Sequence, residues 1–314
     1  MQDLGIEIRA ITGESELDRF NSLPYSLNGE LLDDLRAGRR RPSWMWIARR
    51  GDEVVARVAW WGNPGSTQPS LLDIFDLADP GRSSDLEVAR NLLEAALEHV
   101  IGGRTPPPQY LRYVQPAWRE RDRCRVETEA RVAIARDLGA RVFAERLRLE
   151  WRPDAGAPSM STRLTFRQPR DDHEVLDLMT AVVAGTLDAH TRLDLQTMTA
   201  AEAAREHFFG ELDQQVSPRT NWQIALNLDG DVVGFVTPGH NHYHPVIGYL
   251  AVLPEHRGRG YIRDILAEGT AILANQGVDH IRAATDLDNT PMAMAFRRNG
   301  WHEFERSINM TWSK

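Results

Sequence analysis

Arg257-Gly258-Arg259-Gly260 alternates two cations with two glycines immediately after an apolar run, Val246-Ile247-Gly248-Tyr249-Leu250-Ala251-Val252. Glycine permits a tight turn that brings backbone N–H groups toward an oxyanion, and a helix start adds unpaired donors and partial positive charge. The chemistry this spacing offers is diphosphate binding. Two commoner phosphate motifs are absent. There is no Gly-x-x-x-x-Gly-Lys-Ser/Thr, and Ile262 and Arg263 interrupt a Gly-x-Gly-x-x-Gly pattern.

Stepping outward, the turn needs a strand before it and a helix after it. The run ending at Val252 has the short apolar character of a strand inside a sheet, and Ile262, Ile265, Leu266, Gly269, Ile272 and Leu273 recur on one helical face until Gly277. A second strand follows at Asp279 to Thr285, and then Asn289-Thr290-Pro291-Met292-Ala293-Met294-Ala295-Phe296 leads to Asn299-Gly300-Trp301.

Together these two segments resemble the GNAT acyltransferase superfamily. Leu250 to Asn275 looks like the family's strand, glycine turn and helix, and Asn289 to Trp301 looks like its Asn-x-x-Ala...Tyr...Gly-Phe element. The resemblance implies acetyl-CoA or another acyl-CoA as co-substrate. Leu250 and Val252 would pair with the pantetheine arm, and Arg257, Gly258, Arg259, Gly260, Tyr261 and Ile262 would surround the pyrophosphate. Asn289 would bond the arm, and Phe296 would pack near the thiol. The chain departs from the family pattern twice: Ile262 stands where a small residue is usual, and Phe296 stands where many members carry a tyrosine. A phenyl ring has no proton to give.

An alkyl ammonium is almost entirely protonated at neutral pH, so amine acylation requires a proton acceptor. The strand before the turn offers no carboxylate. His244, in the loop holding His240 and His242, is the first candidate for a base because imidazole titrates near neutrality. Tyr249 on the strand is a second catalytic candidate. The three histidines bring no carboxylate with them, so they are assigned no metal. Asp188 and His190 lie in a break after an amphipathic helix containing Val175, Leu178, Met179, Val182 and Val183, and with Asp286 they are candidates to meet a cationic acceptor. Helix capping is the structural alternative for both aspartates.

The chain has 314 residues, 42% hydrophobic and 26% charged, which fits about two ordinary globular domains. With 37 basic and 45 acidic residues its formal net charge is -8, which argues against general nucleic-acid binding and favours a cationic acceptor. Cys124 is the single cysteine, so no internal disulfide can form. No apolar run approaches the ~20 residues of a membrane span, and the N-terminus has no leader-like pattern. A cytoplasmic protein without membrane partners is expected, and a homodimer is compatible with the sequence.

The chain also repeats itself. Ile47 to Ala56 parallels Ile224 to Gly234 as strand, polar turn, strand, and Leu138-Gly139-Ala140 parallels Asn299-Gly300-Trp301. Trp151 and Trp312 follow their glycines at the same distance. In the first copy Leu71 to Leu77 reads as the equivalent strand and Leu86 to Val100 as the helix, but the loop between them carries Asp79 and Asp85 in place of the arginine-glycine pattern. An α/β fold is therefore expected, with two tandem GNAT-like domains, each a mostly antiparallel sheet with flanking helices. Residues 1–155 form a degenerate copy that packs on the other and closes part of its pocket, with Trp44, Trp46, Trp60 and Trp61 in its core. Residues 162–314 form the catalytic copy, and Pro153 to Ser161 joins them. The favoured function is N-acetyl transfer to a small amine, amino acid or antibiotic-like metabolite. The alternatives are a noncatalytic acyl-CoA-binding regulatory module and a transferase using a carrier-protein or aminoacyl-tRNA donor.

Overall fold

The computed structural model describes residues 5–103 and 106–312. Two compact units emerge, one formed by residues up to 145 together with those from 306 onward, the other by Arg146–Glu305.

The first unit contains β1 (Ile6–Ala10), α1 (Leu17–Phe20), α2 (Leu31–Arg36), β2 (Met45–Arg50), β3 (Glu53–Trp61), β4 (Leu71–Leu77), α3 (Ser83–Ile101), β5 (Gln109–Val114) and α4 (Asp122–Asp137). Its strands run in the order β1-β2-β3-β4-β5 and pair antiparallel except for parallel β4 and β5. Alternation along β2 and β3 places Ala48, Val58 and Trp60 in one core with α3, while Met45, Ile47 and Ala59 join α1 and α2 in another. Trp44 and Trp60 are buried.

The chain then enters β6 (Arg141–Trp151). The second unit continues with β7 (Thr165–Arg167), α5 (Asp172–Val182), α6 (Ala189–Asp194), α7 (Ala200–His207), β8 (Gln223–Leu226), β9 (Val232–His240), β10 (Pro245–Val252), α8 (Tyr261–Ala274), β11 (Ile281–Asp286), α9 (Thr290–Arg298) and β12 (His302–Thr311). Here β7, β8, β9 and β10 pair antiparallel in sequence, and β10 and β11 are parallel. Apart from a third helix between its first two strands, this is the order of the first unit. α8 contributes Ile265, Leu266 and Leu273 to a core with Val233, Val236 and Ile247 from the sheet.

The last strand of each unit comes from the other half of the chain. In the second unit β11 pairs with the C-terminal part of β6, from Ile281 opposite Trp151 to Asp286 opposite Arg146. In the first, β5 pairs with the C-terminal part of β12, from Val114 opposite Arg306 to Tyr110 opposite Met310. The compact units therefore differ from a linear division at residues 155 to 162: Arg146 to Trp151 lie in the second unit and residues from Arg306 in the first. The two copies present equivalent edge strands, so strand periodicity carries no signal that distinguishes pairing within a copy from pairing across copies.

Candidate active site

β10 and β11 share a single register pair, Val246 with Arg282, and separate beyond it. Parallel strands that part toward their carboxyl ends leave an opening flanked by backbone donors and acceptors, a favoured place for ligands in sheets with helical connections. On its other side β10 pairs with β9, with the register shifting between Ile247 and Leu250. Such a bulge re-aims side chains, and Tyr249 lies within it. Its ring stacks on Phe235 at 5.4 Å and meets His207 edge-on at 4.9 Å, and burial raises its phenol above the ordinary range.

Beyond Val252, Gly258 and Gly260 have φ of +76° and +77°, and Gly260 is the N-cap of α8. These are left-handed conformations that glycine adopts without strain. At the start of this 14-residue helix the Tyr261 and Ile262 N–H groups have no intrahelical acceptor, while the Arg263 N–H donates to the Gly260 carbonyl at 3.2 Å. Leu250 and Val252 line the parted edge of β10, and Ile262 and Tyr261 pack partly into the core beneath α8.

Arg257 takes a different part from the one its position suggests. Its guanidinium donates to the carbonyls of Val182 at 2.7 Å, Ala184 at 2.6 Å and Gly185 at 3.3 Å, gathering the acceptors at the end of α5. A cation at a helix C-terminus also complements the dipole. Only the backbone of Arg257 remains directed by the turn. Arg257→Ala is expected to lower stability by about 1 kcal/mol, and thermal unfolding of the variant checks this. The basic side chain that does approach the turn is Arg163, which donates to the Arg259 carbonyl at 3.2 Å, pairs with Asp264 and lies 5.3 Å over the Tyr261 ring. Its distance along the chain hides it from motif reading.

Asn289 is the N-cap of α9, its side-chain oxygen accepting from the Met292 amide at 3.3 Å. Its amide hydrogens are the part suited to an extended arm. Phe296 is fully buried and packs edge-on against Trp301 at 5.0 Å. The structure thus gives its ring a core contact and no surface on an open cleft.

At the carboxyl end of β11, Asp286 comes together with Asp188 and His190, whose ligating atoms all lie within 4.8 Å of one another. Two capping arrangements hold them. Asp188 is the N-cap of α6 and accepts from the Thr191 amide at 2.8 Å, so the capping role is realised there. Asp286 accepts from the Ala189 amide instead of capping α9. Arg146 on β6 completes the group, 3.2 Å from Asp286 and 3.6 Å from Asp188.

Burial alone would raise Asp188, but Arg146 and the Thr191 amide turn the net shift downward. Burial keeps Asp286 above the ordinary carboxylate range, opposed by Arg146. Burial first, and then Arg146, push His190 down to about 4, so its imidazole is neutral at pH 7. Two unlike carboxylates beside a neutral imidazole can accept a cation and a proton. Arg146 already supplies the counter-charge that a divalent ion would bring, so chelator treatment is expected to leave turnover unchanged.

His244 lies at the other end of β10. Arg282 donates to its Nε2 at 2.5 Å, and arginine cannot accept, so the proton of neutral His244 is on Nδ1 and points at His280 Nε2, 3.1 Å away. His280 in turn meets Asp279 at 2.7 Å. The structure therefore places His244 in a polar relay at the amino ends of β10 and β11, apart from Tyr249, Asp188, His190 and Asp286. Burial and then Arg282 push it down to about 4. Since His190 and His244 both titrate lower in the fold than the ordinary 6.5, the unfolded chain takes up more protons between these values. Their stabilisation is full above about pH 6.5 and lost as pH falls toward 4. Melting temperature is expected to drop across that window, and to drop less in a His190→Gln/His244→Gln variant.

Residues 189–301 match the family model described as "Acetyltransferase (GNAT) family". This region is a GNAT-family domain. Over its whole length the chain has a GNAT fold in duplicate. It superposes on a GCN5-related N-acetyltransferase from Sphaerobacter thermophilus with a TM-score of 0.61 at 15% identity, covering 99% of this chain and 96% of that one. With a tandem GNAT protein from the clavulanic acid biosynthesis pathway the TM-score is 0.51 at 17% identity, covering 98% of each. A protein named mycothiol acetyltransferase from Pseudarthrobacter chlorophenolicus is 27% identical over 55% of either chain. This chain thus spans about half the length of that curated relative.

Among the described residues no helix is long and apolar enough to cross a membrane. The residues that sequence reasoning missed are Arg146, which precedes the expected domain boundary, and Arg163.

Proposed function

We propose that the protein is an acyl-CoA-dependent N-acyltransferase, moving an acetyl group to the primary amine of a small-molecule acceptor, and that the second unit does the chemistry. The observation that carries this reading is the parted β10–β11 edge: at its carboxyl end a left-handed glycine turn follows β10, and the Asp188–His190–Asp286 group sits where β11 ends. The opening suits an extended arm bonded by Leu250 and Val252. The amides of Gly258 to Ile262, with Arg163 and Arg259 beside them, suit linked phosphates.

When bound, the thioester supplies the electrophilic carbonyl. The chain's own residues do the rest. Asp188, held ionised, attracts the acceptor's ammonium. Asp286 is the stronger base of the two carboxylates and takes the proton, while neutral His190 orients the amine without repelling it. Relatives named mycothiol acetyltransferase support a low-molecular-weight acceptor. Phe296 has no proton to give, so the thiolate departs unprotonated or takes its proton from water.

Acetyl-CoA mixed with a panel of small amines and amino acids, while free thiol is followed, tests this. Release with at least one amine is expected. Binding without thiol release on any amine would instead favour a noncatalytic acyl-CoA-binding module, the reading that buried Phe296 and the carboxylate-free β10 would then support.

A further inference from the structure

The first unit has an equivalent opening, and its contents are of a different kind. β4 and β5 pair at Leu71 with Gln109 and at Leu72 with Tyr110 and then separate. Asp76, 1% exposed, sits in the gap and pairs with Arg57 at 2.9 Å, Arg112 at 2.9 Å and Arg131 at 3.3 Å. The three arginines come from β3, β5 and α4, and all are buried. Three guanidiniums thus surround one carboxylate, an excess of two positive charges in a buried region.

Part of that excess is met by dipoles. Arg57 donates to the Phe20 carbonyl and Asn28, Arg131 donates to the carbonyls of Phe75 and Glu127, and Arg112 lies 3.8 Å over the Tyr25 ring. The Glu127 carboxylate pairs with Arg123 at the surface and is the weakest of the charges that Arg131 feels. Another buried network in the same unit shows what balance looks like: Arg39 and Arg40 share Asp34 and Asp73, two against two. A buried cation left without its counter-charge is unfavourable.

Next to this excess is a donor without a partner. Tyr110 is fully enclosed, its hydroxyl hydrogen-bonds to no described residue, and it feels the charges of Arg112, Arg131 and Asp76. We propose that this gap binds a small inorganic monoanion of halide size, held by the Tyr110 hydroxyl and the guanidiniums of Arg112 and Arg131. Enclosure of the lining side chains selects a small ion over a nucleotide phosphate. This unit therefore retains the family's opening between strands but uses it for an ion that completes its own core. The site is independent of the activity assigned to the second unit.

The test uses the full chain. Melting temperature is measured in sodium bromide and in sodium gluconate at equal ionic strength, and crystals grown in bromide are examined at the bromine edge. The expected result is a rise of several degrees with bromide over gluconate, from binding to the folded state alone, and an anomalous peak between the Tyr110 hydroxyl and Arg112. Tyr110→Phe keeps the ring and its packing and is expected to shrink the bromide-dependent rise. Equal melting temperatures in the two salts, no anomalous peak at that place, or an undiminished rise in Tyr110→Phe would each overturn the proposal.

Discussion

Asp286→Asn is expected to lower kcat/KM by about 10²- to 10⁴-fold at pH 7, the range over which a positioned general base accelerates proton transfer. The substitution keeps the size of the side chain and its ability to accept from the Ala189 amide, so the start of α6 is held as before. What changes is the base. Burial raises this carboxylate above its ordinary value, as the proposed base requires, while an amide has no useful basicity. A variant with wild-type melting temperature and wild-type rates would remove Asp286 from the chemistry. Asp188→Asn makes a useful contrast, since that carboxylate is held low and is assigned to attraction: a rise in KM exceeding the fall in kcat is expected.

The second large effect concerns the exchanged strand. A fragment covering residues 160–314 is expected to be insoluble or inactive. The reason is that β11 would lose its partner from Trp151 to Arg146, and with it the guanidinium between Asp188 and Asp286. Deleting a strand exposes a row of unpaired backbone groups and the apolar faces that covered the core. Leu147, Leu149 and Trp151, all buried in the core of the second unit, would be gone as well. Such a fragment, if it proved soluble and fully active, would show that neither the strand nor Arg146 contributes to the site. Arg146→Met in the full chain separates the two contributions: it retains the strand and removes the charge. Its expected signature is a changed pH profile, since both aspartates feel that charge.

Local structure was legible wherever one segment determines it. Apolar character and the internal repeat marked Leu71–Leu77, found unchanged as β4, and a short apolar run marked the stretch to Val252 that became β10, while Gly258 and Gly260 marked a turn whose left-handed φ values only glycine takes easily. Asp188, His190 and Asp286 were legible as polar residues at element ends, and the fold brings them together. Long-range choices were not legible. Which copy β6 pairs with depends on competition between similar edges, and the periodicity of the strand is the same in either case. The separation of His244 from the other candidates has a similar origin. His244 is near Tyr249 in sequence, but a strand advances ~3.3 Å per residue, and β10 carries Tyr249 away from the amino end that His244 precedes. The family resemblance puts Arg257 in the pyrophosphate turn, but no local pattern shows that the end of α5 supplies three carbonyls to its guanidinium.

Isothermal titration of the full chain with acetyl-CoA tests the central assignment most directly. The account predicts one site per chain, because the arginine-glycine turn occurs only in the second copy, and loss of that site in Gly260→Asp, which places a side chain and a negative charge where linked phosphates would rest. No heat of binding, two equivalent sites, or unaltered binding by the Gly260→Asp variant would contradict it.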